Sequence, residues 1–498
     1  MCEVVLKSKT RFGFLILLVS FSMGIQSCIH NTRCRCPEKN IEIRNSKKAP
    51  SATSLKVTVP PRKTAVPLVV PSFLSRVRFA AVGDVISHGD VLRAAAAADR
   101  KDDSGKSLNN GGFDELFSLI RDDLHGVDVG FANLETPVAP KSGAKTVPFM
   151  FNAPVSLLNA LKSLGIKIVS FANNHVYDQK RSGLVETLKN LEKVGLVFAG
   201  SGYSCAQAQA AKILDVNGIK IAFLASSMLY NQRLNTSADK PCASEFDERA
   251  VLKEVEKARK DGAEMVLLSI HWGKEYHTSP TDENVALAHR LMDGGVDVIL
   301  GHHPHVLEPV EVYKATDGRV CIVAYSLGNF LSNQSRYYVH GLQPAKMGNS
   351  RDGVIVRFSV VKKEFGKGAV RVELADLSVQ PIWSKNNALE YRKDREIARL
   401  IQPVADDRAM ALAQRNLKCV RKSEERIRLM KQIALFKDRR KIAGKILGED
   451  LLAKPVTLPE SKCPEQPAVR APSIGGPKPD KTVKPEELEP NKVTKHGK

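Results

Sequence analysis

The run His302-His303-Pro304-His305 puts three imidazoles within four residues, at the end of the apolar stretch Gly295-Val-Asp-Val-Ile-Leu300. Packing rarely asks for such a cluster, whereas neutral imidazole is the commonest metal-ligand side chain. Proline disfavours the helical region for the residue before it, which predicts an extended backbone from His303 to His305. Alternate side chains of an extended segment share a side, so His303 and His305 are expected to converge on one ion. His302 is then expected to face the other way, packing or hydrogen bonding behind the ligands.

Elements of one kind must bring partners to this point. Val77–Val82 reads as a short apolar strand delivering Gly83-Asp84, and Val127–Ala132 as another ending in Asn133-Leu134-Glu135. Ile166–Phe171 leads into Asn173-Asn174-His175, and Ala263–Ile270 into His271-Trp272-Gly273. Between them, 94–98, 113–124, 157–164, 184–194, 245–261 and 282–294 carry helical patterns. Strand–helix alternation of this kind predicts an α/β fold, in which ligands gather at the C-terminal strand ends. Asp84, Glu135, Asn174, His175, His271, His303 and His305 are therefore candidates for one cluster. A lone Gly-Asp is a turn or a helix cap, but groups on five strand ends share no such bland explanation. Mixed Asp, Glu, Asn and His ligation suits Mn, Fe or Zn better than Ca or Mg. His88 either joins the site or caps the helix that follows.

Six motifs in order carry a resemblance. They are Val82-Gly-Asp84-Val, Asn133-Leu-Glu135, Ala172-Asn-Asn-His175 with Asp178 and Gly183, His271-Trp-Gly-Lys-Glu275-Tyr, Gly301-His-His-Pro-His305-Val, and Ser326-Leu-Gly-Asn329-Phe with Gln334. Together they resemble the CapA capsule-synthesis family, associated with poly-γ-glutamate, which is similar to calcineurin-like metallophosphoesterases. The resemblance implies a layered α/β/β/α sandwich with two divalent ions at one edge. It implies Asp84, Glu135, Asn174, His271, His303 and His305 as metal ligands, and His175 as proton donor. His88, Asn133, Asp178, Glu275, His302 and Asn329 would stand behind the ligands or face substrate. The phosphoesterase pattern has a histidine two residues after the first aspartate. Ile86 stands there in this sequence, and His88 is the candidate to replace it. The implied substrate is a phosphoester or an anionic polymer, and the implied partners are other capsule-synthesis proteins. The alternatives are a cell-surface phosphoesterase unrelated to capsule and a metal-stabilised polymer binder without turnover. Nothing resembles a nucleotide-binding Gly-rich loop, which argues against an ATP-driven ligase.

The flanks point to export. Lys7, Lys9 and Arg11 precede the apolar run Phe12–Ile25, a signal-peptide pattern over 1–27. Ile25-Gln-Ser-Cys28 resembles a lipoprotein box, so Cys28 is the candidate lipid anchor at the outer face of the cytoplasmic membrane or in the periplasm. Residues 28–75 read as a polar, proline-bearing tether ahead of a 76–384 domain. Over 391–450 lysine and arginine outnumber aspartate and glutamate, 17 to 9, and 385–453 reads as a basic helical extension interrupted near Pro403. Solvated amphipathic helices packed on the domain explain it better than a cationic arm. The Pro/Lys/Glu-rich tail 454–498 lacks the composition of a packed core. The net charge of +21 over 498 residues favours anionic partners, and export argues against nucleic acid. Nine scattered cysteines allow no disulfide assignment.

Overall fold

A computed structural model describes residues 71–458, apart from Thr236 and Lys367. The leader, the Cys28 position, and nearly all of the tether and tail lie outside the described residues. Strand β1 (Ser72–Val85) opens the fold and begins inside the stretch read as tether. It is followed by α1 (Gly89–Ala98), α2 (Phe113–Leu116), α3 (Arg121–Leu124), β2 (Val129–Leu134), α4 (Val155–Ser163), β3 (Ile166–Ser170), α5 (Lys180–Val194) and β4 (Val197–Ala199). The middle of the chain supplies β5 (Ser201–Gly202), α6 (Cys205–Gln209), β6 (Lys212–Val216), β7 (Ile219–Ser227), β8 (Cys242–Ala243), α7 (Glu248–Lys260), β9 (Met265–His271), α8 (Asp282–Asp293) and β10 (Val298–His302). Then come β11 (Val310–Lys314), β12 (Val320–Ala324), β13 (Asn329–Leu331), β14 (Asp352–Glu364), β15 (Val370–Asn386), α9 (Ala388–Lys393), β16 (Ile401–Ala405), α10 (Asp406–Cys419) and α11 (Ser423–Leu447).

The larger sheet runs β16-β15-β14-β1-β2-β3-β4, with β13 pairing along the end of β1. The second runs β11-β12-β10-β9-β7-β6, and β5 pairs with β8 alone. The period-2 alternation of strands builds the layers. Val77, Phe79 and Ala81 of β1 meet Ile221 and Phe223 of β7 and Met265 and Leu267 of β9 in a core between the sheets. Ala80 and Val82 turn the other way, onto α1, α4 and α5. Val266, Leu268 and Ile270 of β9 pack under α7 and α8. The expected α/β/β/α sandwich is therefore present, with its central strands β2, β9 and β10 buried on both faces and hence largely apolar.

The 113–124 stretch is two short helices, not one. Phe117 and Ile120 stay buried through the turn between them, so their spacing serves packing and not helical continuity. The C-terminal segment also differs from its reading as a helical extension. Pro403 lies in β16, an edge strand, where a missing N–H costs little. Phe436 of α11 packs with Trp383, Val404 and Ala409, while Ala443 and Leu447 join the inter-sheet core. Helices α10 and α11 are packed on the sandwich, as the solvated-helix reading expects.

Candidate metal centre

Parallel strands from both sheets end at one place. β1 delivers Asp84, β2 Asn133 and Glu135, β3 Asn173 to His175, β9 His271, and β10 His302 with the loop behind it. Two glycines make this convergence sterically feasible. A Cβ at Gly83 would lie 1.9 Å from the Gly328 carbonyl oxygen, and one at Gly301 1.9 Å from that of Tyr325. The residues before Asp84 and His302 thus carry no side chain because backbone passes directly over them.

Asp84 is fully buried. Its Oδ1 accepts from Asn133 Nδ2 at 2.8 Å, and its Oδ2 lies 3.0 Å from His305 Nδ1. His305 Nε2 in turn stands 3.7 Å from Glu135 Oε1, and His271 Nε2 stands 3.8 Å from the same oxygen. His271 Nε2 is also 3.0 Å from Asn174 Oδ1. The His303 ring sits 4.9 Å from that of His271 and 5.9 Å from that of His305, centroid to centroid. The sequence-derived ligands Asp84, Glu135, Asn174, His271, His303 and His305 are thus neighbours. The ligand atoms of Asp84, Glu135 and His305 lie within 4.8 Å of one another, as do those of Glu275, His303 and His305. Glu275, read as standing behind the ligands, falls in the second set, and His305 belongs to both.

Two expectations about the histidine run are overturned. His303 and His305 have φ of 98° and 56°, so the segment is left-handed at both residues and not extended. The rings converge because the chain coils, in a region that costs a non-glycine residue of order 1–3 kcal/mol. Alternation therefore does not apply, and His302 does not face away. Its Nδ1 lies 3.2 Å from Asp84 Oδ1, though without hydrogen-bond alignment.

The electrostatics set the two carboxyls apart. Burial opposes ionisation of Asp84, but His302 and His305 outweigh it and hold the carboxyl well below the usual range. Burial and the Asp84 charge push Glu135 well above it. Burial, with His303 nearby, keeps His271 well below the ordinary imidazole range. Burial and His305 bring His303 down to about 4. Both of these rings are neutral at pH 7, the form that ligates metal. Both Glu135 oxygens, His271 Nδ1, both His302 nitrogens and His303 Nδ1 are buried without a hydrogen-bond partner. Among the described residues, the ion-pair partners of Asp84 and Glu135 are all histidines. Two buried carboxylates, orphaned imidazole nitrogens and no lysine or arginine form a donor set that fits divalent cations.

The remaining residues surround this set. His175 Nδ1 lies 2.8 Å from Asp178 Oδ2, and Asn173 Oδ1 accepts from the His175 backbone N–H at 3.2 Å. Asn329 Nδ2 donates to the His305 carbonyl at 3.2 Å. His88 precedes α1 but makes no side-chain cap. Its ring packs 5.0 Å from Phe151, and burial followed by His305 and His175 lowers it to about 3. It lies outside both ligand sets. Phe151, whose ring is 4.4 Å from that of His175, and Asn231, beside Asn174 and His175, escape sequence reading. Neither sits at a strand end or in a motif.

Glu308 follows the histidine loop and is 1% exposed, with Oε2 lacking a partner. Burial raises it from 4.5 to about 8. The folded state then keeps a proton that the unfolded chain releases, so this residue's contribution falls as pH rises from about 4.5 to about 8. Glu308→Gln is expected to raise stability at pH 8 by a few kcal/mol, on the order of the shift at about 1.4 kcal/mol per unit. It should also flatten the pH dependence of Tm between pH 5 and 8, which thermal unfolding at both values would check.

The family model for bacterial capsule synthesis protein PGA_cap matches residues 78–334. The chain is 28% identical over 285 residues to the PGA biosynthesis protein CapA of Bacillus subtilis, covering 56% of this chain and 70% of that protein. It is 30% identical over 234 residues to the capsule biosynthesis protein CapA of Bacillus anthracis, covering 46% of this chain and 56% of the relative. Among solved structures, the calcineurin-like phosphoesterase YfkN of B. subtilis aligns over 61% of this chain and 90% of its own, at 12% identity and a TM-score of 0.33. Asp84, Glu135, Asn174, His175, His271, His303, His305 and Asn329 all fall inside the matched stretch, and the chain belongs to the bacterial capsule synthesis PGA_cap family.

Proposed function

We propose that this chain is an exported metal-binding protein of capsule or anionic-polymer synthesis, whose centre performs phosphoester chemistry. The observation that carries this reading is the buried pair Asp84 and Glu135, whose ion-pair partners among the described residues are all imidazoles. Asp84, Glu135, His305, His303 and Glu275 would hold the ions, with His271 against Glu135 and Asn174 against His271. Mn, Fe or Zn suits this mixture of donors. Divalent ions held there would supply Lewis-acid chemistry for phosphoester hydrolysis. The chain's own residues do the rest. Asn133 fixes the Asp84 carboxylate. Asp178 holds His175 Nδ1, which leaves Nε2 as the nitrogen able to hand a proton to a leaving oxygen. Phe151 packs on that ring and limits its rotation.

The Cys205–Cys242 disulfide supports export, since structural disulfides belong to oxidising compartments. The proposed location is the outer face of the cytoplasmic membrane or the periplasm, tethered through the N-terminal segment and Cys28. Partners there would be the anionic polymer and other capsule-synthesis proteins.

The purified protein, loaded with Mn, Fe or Zn, should hydrolyse a generic phosphodiester or phosphomonoester. His175→Ala should lower kcat by about 10²–10⁴-fold with metal content unchanged. If the loaded protein cleaves neither substrate, and His175→Ala keeps polymer production intact in cells, turnover is excluded.

A further inference from the structure

After β7 the chain runs beside His271 and Asn174 before returning through β8. This segment, residues 228–241 apart from Thr236, is bonded directly to site residues. The Met228 N–H donates to the His271 carbonyl at 3.0 Å, and the Asn231 N–H to that of Asn174 at 3.1 Å. Further along, Asn235 Nδ2 donates to the Ala243 carbonyl at 2.8 Å, and the Tyr177 hydroxyl bonds Asn235 Oδ1. The Cys205 N–H donates to the Ala238 carbonyl at 2.9 Å, and the Cys205–Cys242 bond ties α6 to β8 at the far end. This strap is fastened along its length, and the side chain of Asn231 points at the one ambiguous donor in the centre.

That donor is Asn174. A carboxamide can turn either its oxygen or its NH₂ toward a cation, and only the oxygen ligates. Asn174 is 6% exposed, its Oδ1 faces His271 Nε2 at 3.0 Å, and its Nδ2 donates to Asn231 Oδ1 at 3.3 Å. The acceptor on Asn231 therefore decides which end of the Asn174 amide looks into the centre. Asn231 Nδ2 also lies 3.5 Å from His175 Nδ1, the atom that Asp178 already holds.

We infer that Asn231 is a positioning residue that sets the Asn174 amide oxygen toward the metal. The inference rests on the metal reading above. Partners behind a metal ligand are worth about 10–100-fold in metal affinity. Titration of the full-length metal-free protein with Co²⁺, followed by visible absorption, reads affinity and ligand geometry together. Asn231→Ala should bind Co²⁺ at least about 10-fold more weakly and with an altered absorption band. Asn231→Asp keeps the acceptor for Asn174 and should restore both affinity and band. Metal-free Tm should be equal in all three proteins. Asn231→Ala binding as tightly as wild type with the same band overturns the inference and leaves the metal reading standing. So does Asn231→Asp failing as badly as Asn231→Ala, or a loss of affinity that tracks a lowered metal-free Tm. Wild type that binds no Co²⁺ overturns the metal reading and this inference together.

Discussion

The His303→Ala, His305→Ala double variant is expected to emerge from purification without stoichiometric divalent metal, while wild type carries it. His305 belongs to both sets of converging ligand atoms, and His303 completes the one containing Glu275. The loss should exceed the about 10–100-fold that follows removal of a mere outer partner. The metal-free variant should remain folded, because these two rings contact His271, Asp84, Glu135 and each other within the centre. Metal analysis together with circular dichroism would test both statements. Wild-type metal content in the folded variant would remove the histidine loop from the ligand set.

The largest stability effect is expected at Arg439→Ala. Arg439 is fully buried on α11. Its Nε donates to Asp352 Oδ1 at 2.9 Å, a second nitrogen pairs with Asp352 Oδ2, and Nη1 donates to the Ala345 carbonyl at 2.9 Å. Its guanidinium also lies 5.2 Å from the Trp383 ring centroid. Removing it strands the Asp352 carboxylate in a site that already holds the unpartnered Asp406. Breaking a buried pair from one side costs about 3–5 kcal/mol. Denaturant unfolding should show that loss for Arg439→Ala, and a smaller one for Arg439→Met combined with Asp352→Asn. If the double variant is the less stable of the two, the pair is worth more than the isolation penalty argued here.

Most of the centre was legible because the strands end in residue types with few alternative uses. An Asn-Asn-His or a His-x-His at the end of an apolar run is chemically narrow, and the α/β pattern says such ends meet. Legibility stopped where backbone geometry or tertiary contact decided. The left-handed His303 and His305 reversed the direction assigned to His302, and histidine's enrichment at positive φ is too slight to announce it. Glu275 was legible only as a residue behind the ligands and not as one converging with His303 and His305, because it lies beyond a strand end in an exposed turn. Asn231 and Phe151 are ordinary residues that matter only through what they touch. Pro403 looked like an interrupted helix, since a proline at a sheet edge and a proline at a helix break read alike. Cys205 and Cys242 could not be paired from nine cysteines until the loop they close was seen.

The placement of β1 has a consequence for how the protein is made. This strand carries Asp84 and lies between β2 on one side and, on the other, β14 along its length and β13 at Asp84. β2 is a near neighbour in sequence, but β14 arrives far later, with Arg76 registered against Val361. The stretch matched by the family model ends at 334, before β14, β15 and β16 exist. A chain emerging N-terminus first therefore holds Asp84 on a strand whose far edge closes fully only when the last third of the polypeptide appears. Such long-range closure is slow and leaves hydrogen-bonding edges exposed meanwhile. The candidate metal centre is therefore expected to form late, once β13 and β14 have both paired along β1.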